Sequence, residues 1–402
     1  MKPELMTELN KIREEFIISN ITLSKISEDF YNDMFEKHML KMLKTYVNTT
    51  SDKVLPNEYL SIDIGGSNVR ISKLKISEDN ILIEKMIKLP LRTKLYDYTK
   101  SKYTLKYLFV MALKKIIPFL DKEKMYTLAV TVSFGLDSKS KTEATIIELS
   151  KGFELSETLG ENIYQILSEA IKEVGLKIIP TAIINDCVAT MVTGKFYNPN
   201  ADISFIVGTG HNACFIDSSK EIINIESANF NKNLPLTQFD KKFISKIPKE
   251  SGQLLEVLIG GKYICKIAEV IIKSCAGKGL IKDFKDISTE DLIKSLNGEA
   301  IIKYSAEQKA FLKEVAKLLF ERSARLVVAE ILAILRYIDP ELNTNHTIIF
   351  DGSVYEKCEF FKEEISRVLE SVLLEKSKQI SHKLIKDASS IGPAIVSASV
   401  LN

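Results

Sequence analysis

Asn185 and Asp186 stand where the apolar run TAII (181–184) gives way to CVATMVTG (187–194), a change from strand-like to helix-like patterning. A carboxylate at that seam has two chemistries open to it. It can cap the helix, where the dipole favours its charge. Alternatively, at the carboxyl end of a strand in an open α/β sheet, it faces a ligand crevice and can take a proton from a substrate hydroxyl. Three glycine turns accompany it: IDIGGSNVR (62–70), with Asp63, Gly65, Gly66, Ser67, Asn68 and Arg70; IVGTGHNACF (206–215), with Gly208, Thr209, Gly210 and Asn212; and IIFDGSV (348–354), with Asp351, Gly352 and Ser353. Glycines let backbone amides approach an anion with no Cβ in the way, and such amides form a phosphate nest. Any one of these is an ordinary hairpin turn. Three of them, each following a strand, match what a nucleoside triphosphate requires from two lobes.

Positioning these residues takes a particular run of elements. The spacing of Ile26, Phe30 and Met34 predicts a helix capped at Ser24 within the first 45 residues. Alternation through 59–76, then ILIEKMIKL, predicts a hairpin or meander. A helix over 104–120 leads to the β-branched strand LAVTVSF (128–134), and a helix over 161–175 leads to TAII. The pattern then restarts with helix CVATMVTG and the strands around the second glycine turn, so two related α/β lobes are expected. A long helix over 306–338, the strand HTIIFDGS and a final helix begun near Pro393 complete the chain, since proline suits a first helical turn.

Composition narrows the partners. At 402 residues, 45% hydrophobic and 27% charged, the chain is an ordinary globular protein long enough for two domains. Fifty-five basic against 53 acidic residues leave +2, without the positive field that nucleic acid requires. Five cysteines with no C-x-x-C pair point to neither a disulfide framework nor zinc, and a reducing compartment is expected. Charges interrupt the amino terminus where a secretory segment would be apolar, and no apolar run approaches the ~18 residues of a membrane span, so a soluble, cytosolic protein is expected. A small ligand suits such a chain, as a monomer or a homodimer. The four histidines show no metal-ligand spacing, and His211, inside a glycine turn, suits either acid catalysis or a turn or packing role.

From about residue 40 to the end the chain resembles the eukaryotic-type hexokinase and glucokinase family. MLKTYV followed by YLSIDIGGSNVR is similar to the family's first phosphate segment, and VTVSF, IELSKGFEL, IINDCVATM, IVGTGHNACF, IINIES, GQLLEVLIGGKY and IIFDGSVY follow in family order. The resemblance implies a two-lobed actin-like ATPase fold, ribonuclease H-like, with an interlobe cleft. The small lobe would span 56–186, completed by a terminal helix over 389–402, and the large lobe 1–55 and 187–388. The activity implied is transfer of a phosphoryl group from ATP, with Mg²⁺, to the 6-hydroxyl of glucose or a related hexose, with no nucleic-acid or membrane partner.

Carried over by position, Asp186 corresponds to the general base. Ser133, Ser150, Lys151, Asn185, Asn212, Glu226 and Glu256 correspond to sugar ligands, and Lys151 would also meet charge developing on the transferring phosphoryl. Asp63 would hold the metal through water. Gly65, Gly66, Ser67, Asn68, Arg70, Thr209, Gly210, Lys262, Gly352 and Ser353 would line the nucleotide, although Arg70 equally suits a structural carboxylate and Lys262 a solvated position. The sequence departs from the family in reading SFG for Ser-Phe-Pro, SKGF for Thr-Lys-Gly-Phe, IES for Thr-Glu-Trp, and KDASSIGPA for a glycine-rich turn, which leaves adenosine contacts at Asp387 and Ser389 unassigned. Two other readings compete: a catalytically silent sugar-binding regulator, and a kinase for mannose, fructose or an amino sugar.

Overall fold

Residues 1–49, 55–77, 80–149, 153–247 and 252–400 are described in the computed structural model, and they begin with two helices, α1 (Pro3–Phe16) and α2 (Asn20–Glu36). The α2 cap lies a turn earlier than its hydrophobic spacing suggests. Ser19, not Ser24, accepts the Thr22 N–H at 3.1 Å. The reason is Leu23, which extends the buried stripe of Ile26, Phe30 and Met34 backwards and so draws the preceding residues into the helix. Strand β1 (Leu43–Asn48) follows.

The first sheet starts as the expected meander, β2 (Asn57–Ile64), β3 (Asn68–Ile76) and β4 (Ile81–Pro90), joined by antiparallel pairing. Helix α3 (Leu105–Ile116), capped by Thr104, leads to β5 (Tyr126–Val132), which runs parallel to β2. After a short hairpin, β6 (Leu136–Ser138) and β7 (Ala144–Ile146), helix α4 (Ile163–Val174) leads to β8 (Ile178–Asn185), parallel to β5. The strand order is β4-β3-β2-β5-β8.

The second half repeats this plan. Helix α5 (Asp186–Tyr197) precedes the antiparallel strands β9 (Ala201–Val207), β10 (His211–Ile216) and β11 (Glu221–Asn224). A helical block follows: α6 (Gln238–Ile244), α7 (Leu254–Ile259), α8 (Gly261–Gly277), α9 (Thr289–Asn297) and the 33-residue α10 (Ala306–Ile338). Then come β12 (His346–Asp351), α11 (Ser353–Lys357), α12 (Glu359–Leu373), β13 (Ile380–Leu384) and α13 (Ala388–Val400). With β12 and β13 parallel to β9, the order β11-β10-β9-β12-β13 matches the first sheet, and β1 extends its β11 edge. This is the two-lobed actin-like ATPase fold, and the repeat puts equivalent turns and strand ends at the same edge of each sheet.

Each half lends its last helix to the other. Helix α5 packs on β9 to β12, whereas α13 lies on β2, β3, β5 and β8, and the two helices pack on each other. Apolar residues of both, including Val188, Met191, Ile391 and Ile395, form a separate core cluster between the sheets. The crossing is close enough to demand glycine, since a Cβ on Gly392 would sit 2.3 Å from the Ala189 carbonyl oxygen, and where α5 meets β12 a Cβ on Gly194 would sit 2.4 Å from Ile349 Cγ1. The final helix begins at Ala388 rather than at Pro393, which lies inside it. Proline removes the N–H that would have bonded the Ser389 carbonyl. That carbonyl instead accepts the Thr131 hydroxyl of β5 at 2.8 Å, so a tertiary contact satisfies what the proline leaves open.

At this crossing, Gly392→Ala places a methyl against backbone that cannot rotate away, and overpacking of this kind costs about 1 to 3 kcal/mol. Denaturant unfolding should register that loss; a variant as stable as the wild type would refute so close an approach.

Candidate active site

Asp63 is the penultimate residue of β2 and Arg70 lies opposite it on β3, so the two side chains share one face of the hairpin. Their contact is 2.9 Å from Arg70 Nη1 to Asp63 Oδ2, and the same oxygen accepts the Ser389 hydroxyl at 2.7 Å. Arg70 therefore meets a buried carboxylate while also lining the cleft. The turn between them, Gly65 to Asn68, faces the corresponding turn of the second sheet, Gly208 to Gly210, across a cavity that Asp351, Gly352 and Ser353 close. Gly352 has φ of 114°, and a Cβ there would lie 2.5 Å from the Val207 carbonyl carbon. No other residue fits that position.

The Gly-Gly pair before Lys262 has a structural task. Gly261 N–H donates to the Gly208 carbonyl at 2.8 Å and Lys262 N–H to the Thr209 carbonyl at 3.0 Å, so the start of α8 buttresses the second turn. The Lys262 side chain is exposed, its ammonium 5.1 Å above the Tyr263 ring, and it is not among the residues lining the cleft.

Beside this cavity lies a second one, lined by Ser133, Phe134, Gly135, Glu148, Asn185, Asp186, Asn212, Glu226, Gln253 and Glu256, among others. The capping question raised by the strand-to-helix seam resolves here. Asn185 is the N-cap, its Oδ1 accepting the Cys187 N–H at 2.8 Å, and Asp186 is the first residue of α5. Asn185 Nδ2 donates to the Phe134 carbonyl at 3.1 Å, Asn212 Nδ2 to Asn224 Oδ1 at 2.9 Å, and Asn224 Nδ2 to Glu226 Oε1 at 2.7 Å. Glu226 and Glu256 are buried rather than solvated, and Glu226 adopts φ of 55°. Ser133 and Asp186 line both cavities, and Ile206 of β9 does so as well.

The structure thus gathers Asp63, Gly65, Gly66, Ser67, Asn68, Arg70, Thr209, Gly210, Gly352 and Ser353 around one cavity and Asn185, Asn212, Glu226 and Glu256 around the other. Ser150 and Lys151 lie outside the described residues, although Glu148, shortly before them, lines the second cavity. Residue patterns alone missed Ser389, Asn224 and Gln253, and named Asp351 only as part of the third glycine turn. Asp351 and Gln253 sit beside recognised motif residues, which was the available signal. Ser389 and Asn224 offered none, because their roles arise from partners far away in the chain or across a strand.

Three carboxylates, Asp63, Asp186 and Asp351, line the glycine-turn cavity. Burial pushes the Asp63 carboxyl up, against the opposing pull of the Arg70 guanidinium and the Ser389 hydroxyl. Asp351 is pushed up to about 7, chiefly by burial, with the Asp186 and Asp63 charges adding to it and the Gly352 N–H opposing. Asp63 Oδ1 is buried and has no hydrogen-bond partner among the described residues. An acceptor-only carboxylate oxygen left so, among like charges, fits a hydrated divalent cation with oxygen ligands.

Because its folded pKa lies above the unfolded value of 3.8, Asp351 holds its proton more tightly in the folded state. Its contribution to stability is therefore greatest at low pH and falls as pH rises towards about 7. In metal-free protein, the melting temperature of Asp351→Asn relative to wild type should rise between pH 4 and pH 8; a flat difference would show that this carboxyl titrates normally.

The family model described as Hexokinase matches residues 8–196, and a second model of that description matches 202–399. Hexokinase-1 of Schizosaccharomyces pombe is 25% identical over 98% of this chain and 91% of its own length. Hexokinase-7 of Oryza sativa is 26% identical over 89% of this chain and 88% of its own length. In fold, the chain is similar to the Schistosoma mansoni hexokinase complexed with glucose, with a TM-score of 0.86 and 22% identity over 98% of this chain and 99% of that one. A glucokinase from Streptomyces griseus in complex with glucose and AMPPNP superposes with a TM-score of 0.53 and 15% identity, over 86% of this chain and 99% of that one. Both halves of the sequence match the family's own models, and the chain belongs to the hexokinase family.

Proposed function

We propose that this sugar kinase transfers the γ phosphoryl of ATP to the 6-hydroxyl of glucose or a closely related hexose, with Asp186 as the general base. The observation that carries this reading is the position of Asp186 on the wall shared by a polar, carboxylate- and amide-lined cavity and a glycine-lined one. Glucose bound to one structural neighbour, and glucose with a nucleotide analogue bound to another, support it.

In the proposed reaction Asn185, Asn212, Glu226 and Glu256, with Ser133 and Ser150, pair the ring hydroxyls. A site built this way rejects analogues that leave its buried polar groups unmatched. The Asn212–Asn224–Glu226 chain fixes these groups before sugar arrives, so little reorganisation accompanies binding. Asp186 accepts the proton of the primary hydroxyl as its oxygen attacks phosphorus. Lys151 is assigned to charge on the transferring group, while the amides and side chains of both glycine turns and Ser353 hold the phosphates. Mg²⁺ held at Asp63 through water would supply charge neutralisation between the β and γ phosphates. Asp186→Ala should lower turnover by ~10² to 10⁴ while largely preserving the fold. A coupled ADP-release assay over glucose, mannose, fructose and glucosamine reads this directly; near-normal turnover in the variant removes the assignment.

Residues 56–186 with the last helix are proposed to move against 1–55 and 187–388 about the α5–α13 crossing. Closure over the sugar would exclude water as a competing acceptor. Solution scattering with and without glucose should show a smaller radius of gyration in the bound state, and identical profiles at saturating sugar would argue against closure.

A further inference from the structure

His211 follows Gly210 in the second glycine turn and precedes Asn212, so it stands between the phosphate cavity and the sugar cavity, and it lines the latter. Its backbone N–H donates to Glu256 Oε2 at 3.1 Å. Its imidazole leaves the turn in the other direction, and Nε2 lies 2.7 Å from Oε1 of Glu330 on α10. A carboxylate only accepts, so Nε2 carries the hydrogen in this contact. The imidazole and the Glu330 carboxylate are both essentially inaccessible, with side-chain exposures of 0% and 1%. Phe205 stacks on the ring at 6.0 Å between centroids, which fixes its plane. A buried charged group is costly unless it does something that an apolar residue could not.

We propose that Glu330 and His211 form a positioning pair for the sugar site. Glu330 holds the imidazole and the imidazole holds the backbone of the turn. The His211 N–H and the Asn212 amide then present Glu256 and Asn212 at fixed positions to the sugar hydroxyls. Neither Glu330 nor the imidazole needs to touch the sugar. The inference rests on the hexose-kinase reading and adds to it a specificity determinant 119 residues away in the chain from the turn it controls.

The test replaces both partners together, because a pair changed to apolar residues of similar size leaves no unpaired charge behind. The double variant His211→Leu/Glu330→Leu should bind glucose at least ~tenfold more weakly by calorimetry, as loss of one charge-assisted hydrogen bond in the chain implies. Its KM for ATP should stay within about twofold, since the phosphate turns keep their own amide contacts. Glu330→Gln, whose amide oxygen still accepts from Nε2, should restore glucose affinity to within about threefold of wild type. A purely structural pair would move glucose affinity and the KM for ATP together or neither, and either result overturns the proposal. Should the double variant fail to fold, Glu330→Asp withdraws the carboxylate by one methylene, and an unchanged glucose affinity there overturns the proposal equally. Wild-type protein that neither binds nor turns over glucose would overturn the functional reading instead, which keeps the two failures distinct.

Discussion

The crossing of α5 and α13 is the constraint from which the cleft follows. Each helix starts at the carboxyl end of the last strand of one sheet and packs on the other sheet, so the two helices are held against each other. Gly392 against Ala189 sets how near. Because Asp186 opens α5 and Ser389 lies in the first turn of α13, the helix contact also determines that Asp186 and the Asp63–Arg70 pair line one cavity. A bulkier residue at the crossing would act on the site without touching it.

The cavity that results is electrostatically incomplete. Asp63, Asp186 and Asp351 line it, and among the described residues Arg70 is the cation on the wall. The elevated pKa values of Asp63 and Asp351 express the same fact: burial among like charges disfavours ionisation until positive charge is supplied. A site of this kind sacrifices stability for binding, and that is how functional sites commonly break the rules that hold elsewhere in a fold. The neighbouring cavity follows the opposite strategy. Its amides and carboxylates are already joined by short hydrogen bonds, so its order precedes the ligand.

Much of the fold was legible because it is written in local periodicity. The β2–β4 meander, the long α10 and the strand before Asp186 follow from spacing alone, whereas Arg70 suits a phosphate or a structural carboxylate equally until strand register sets it against Asp63. Local patterns misled where a partner from elsewhere intervened. Leu23 drew the start of α2 back to Ser19, and Thr131 let α13 run through Pro393. Gly260 and Gly261 serve the close packing of α8 on the turn at Gly208, a task that no neighbouring residue announces.

By itself, then, the sequence determined the turns, the strand ends and the chemical types offered there, because each depends on residues within a few positions of one another. Tertiary structure decided which of them meet. The Asn224 bridge between Asn212 and Glu226, the Ser389 hydroxyl on Asp63, and the His211–Glu330 pair all join residues brought together by strand register or helix packing. Hydrogen bonding acts over about 3 Å, so such contacts have no signature until packing has set that distance.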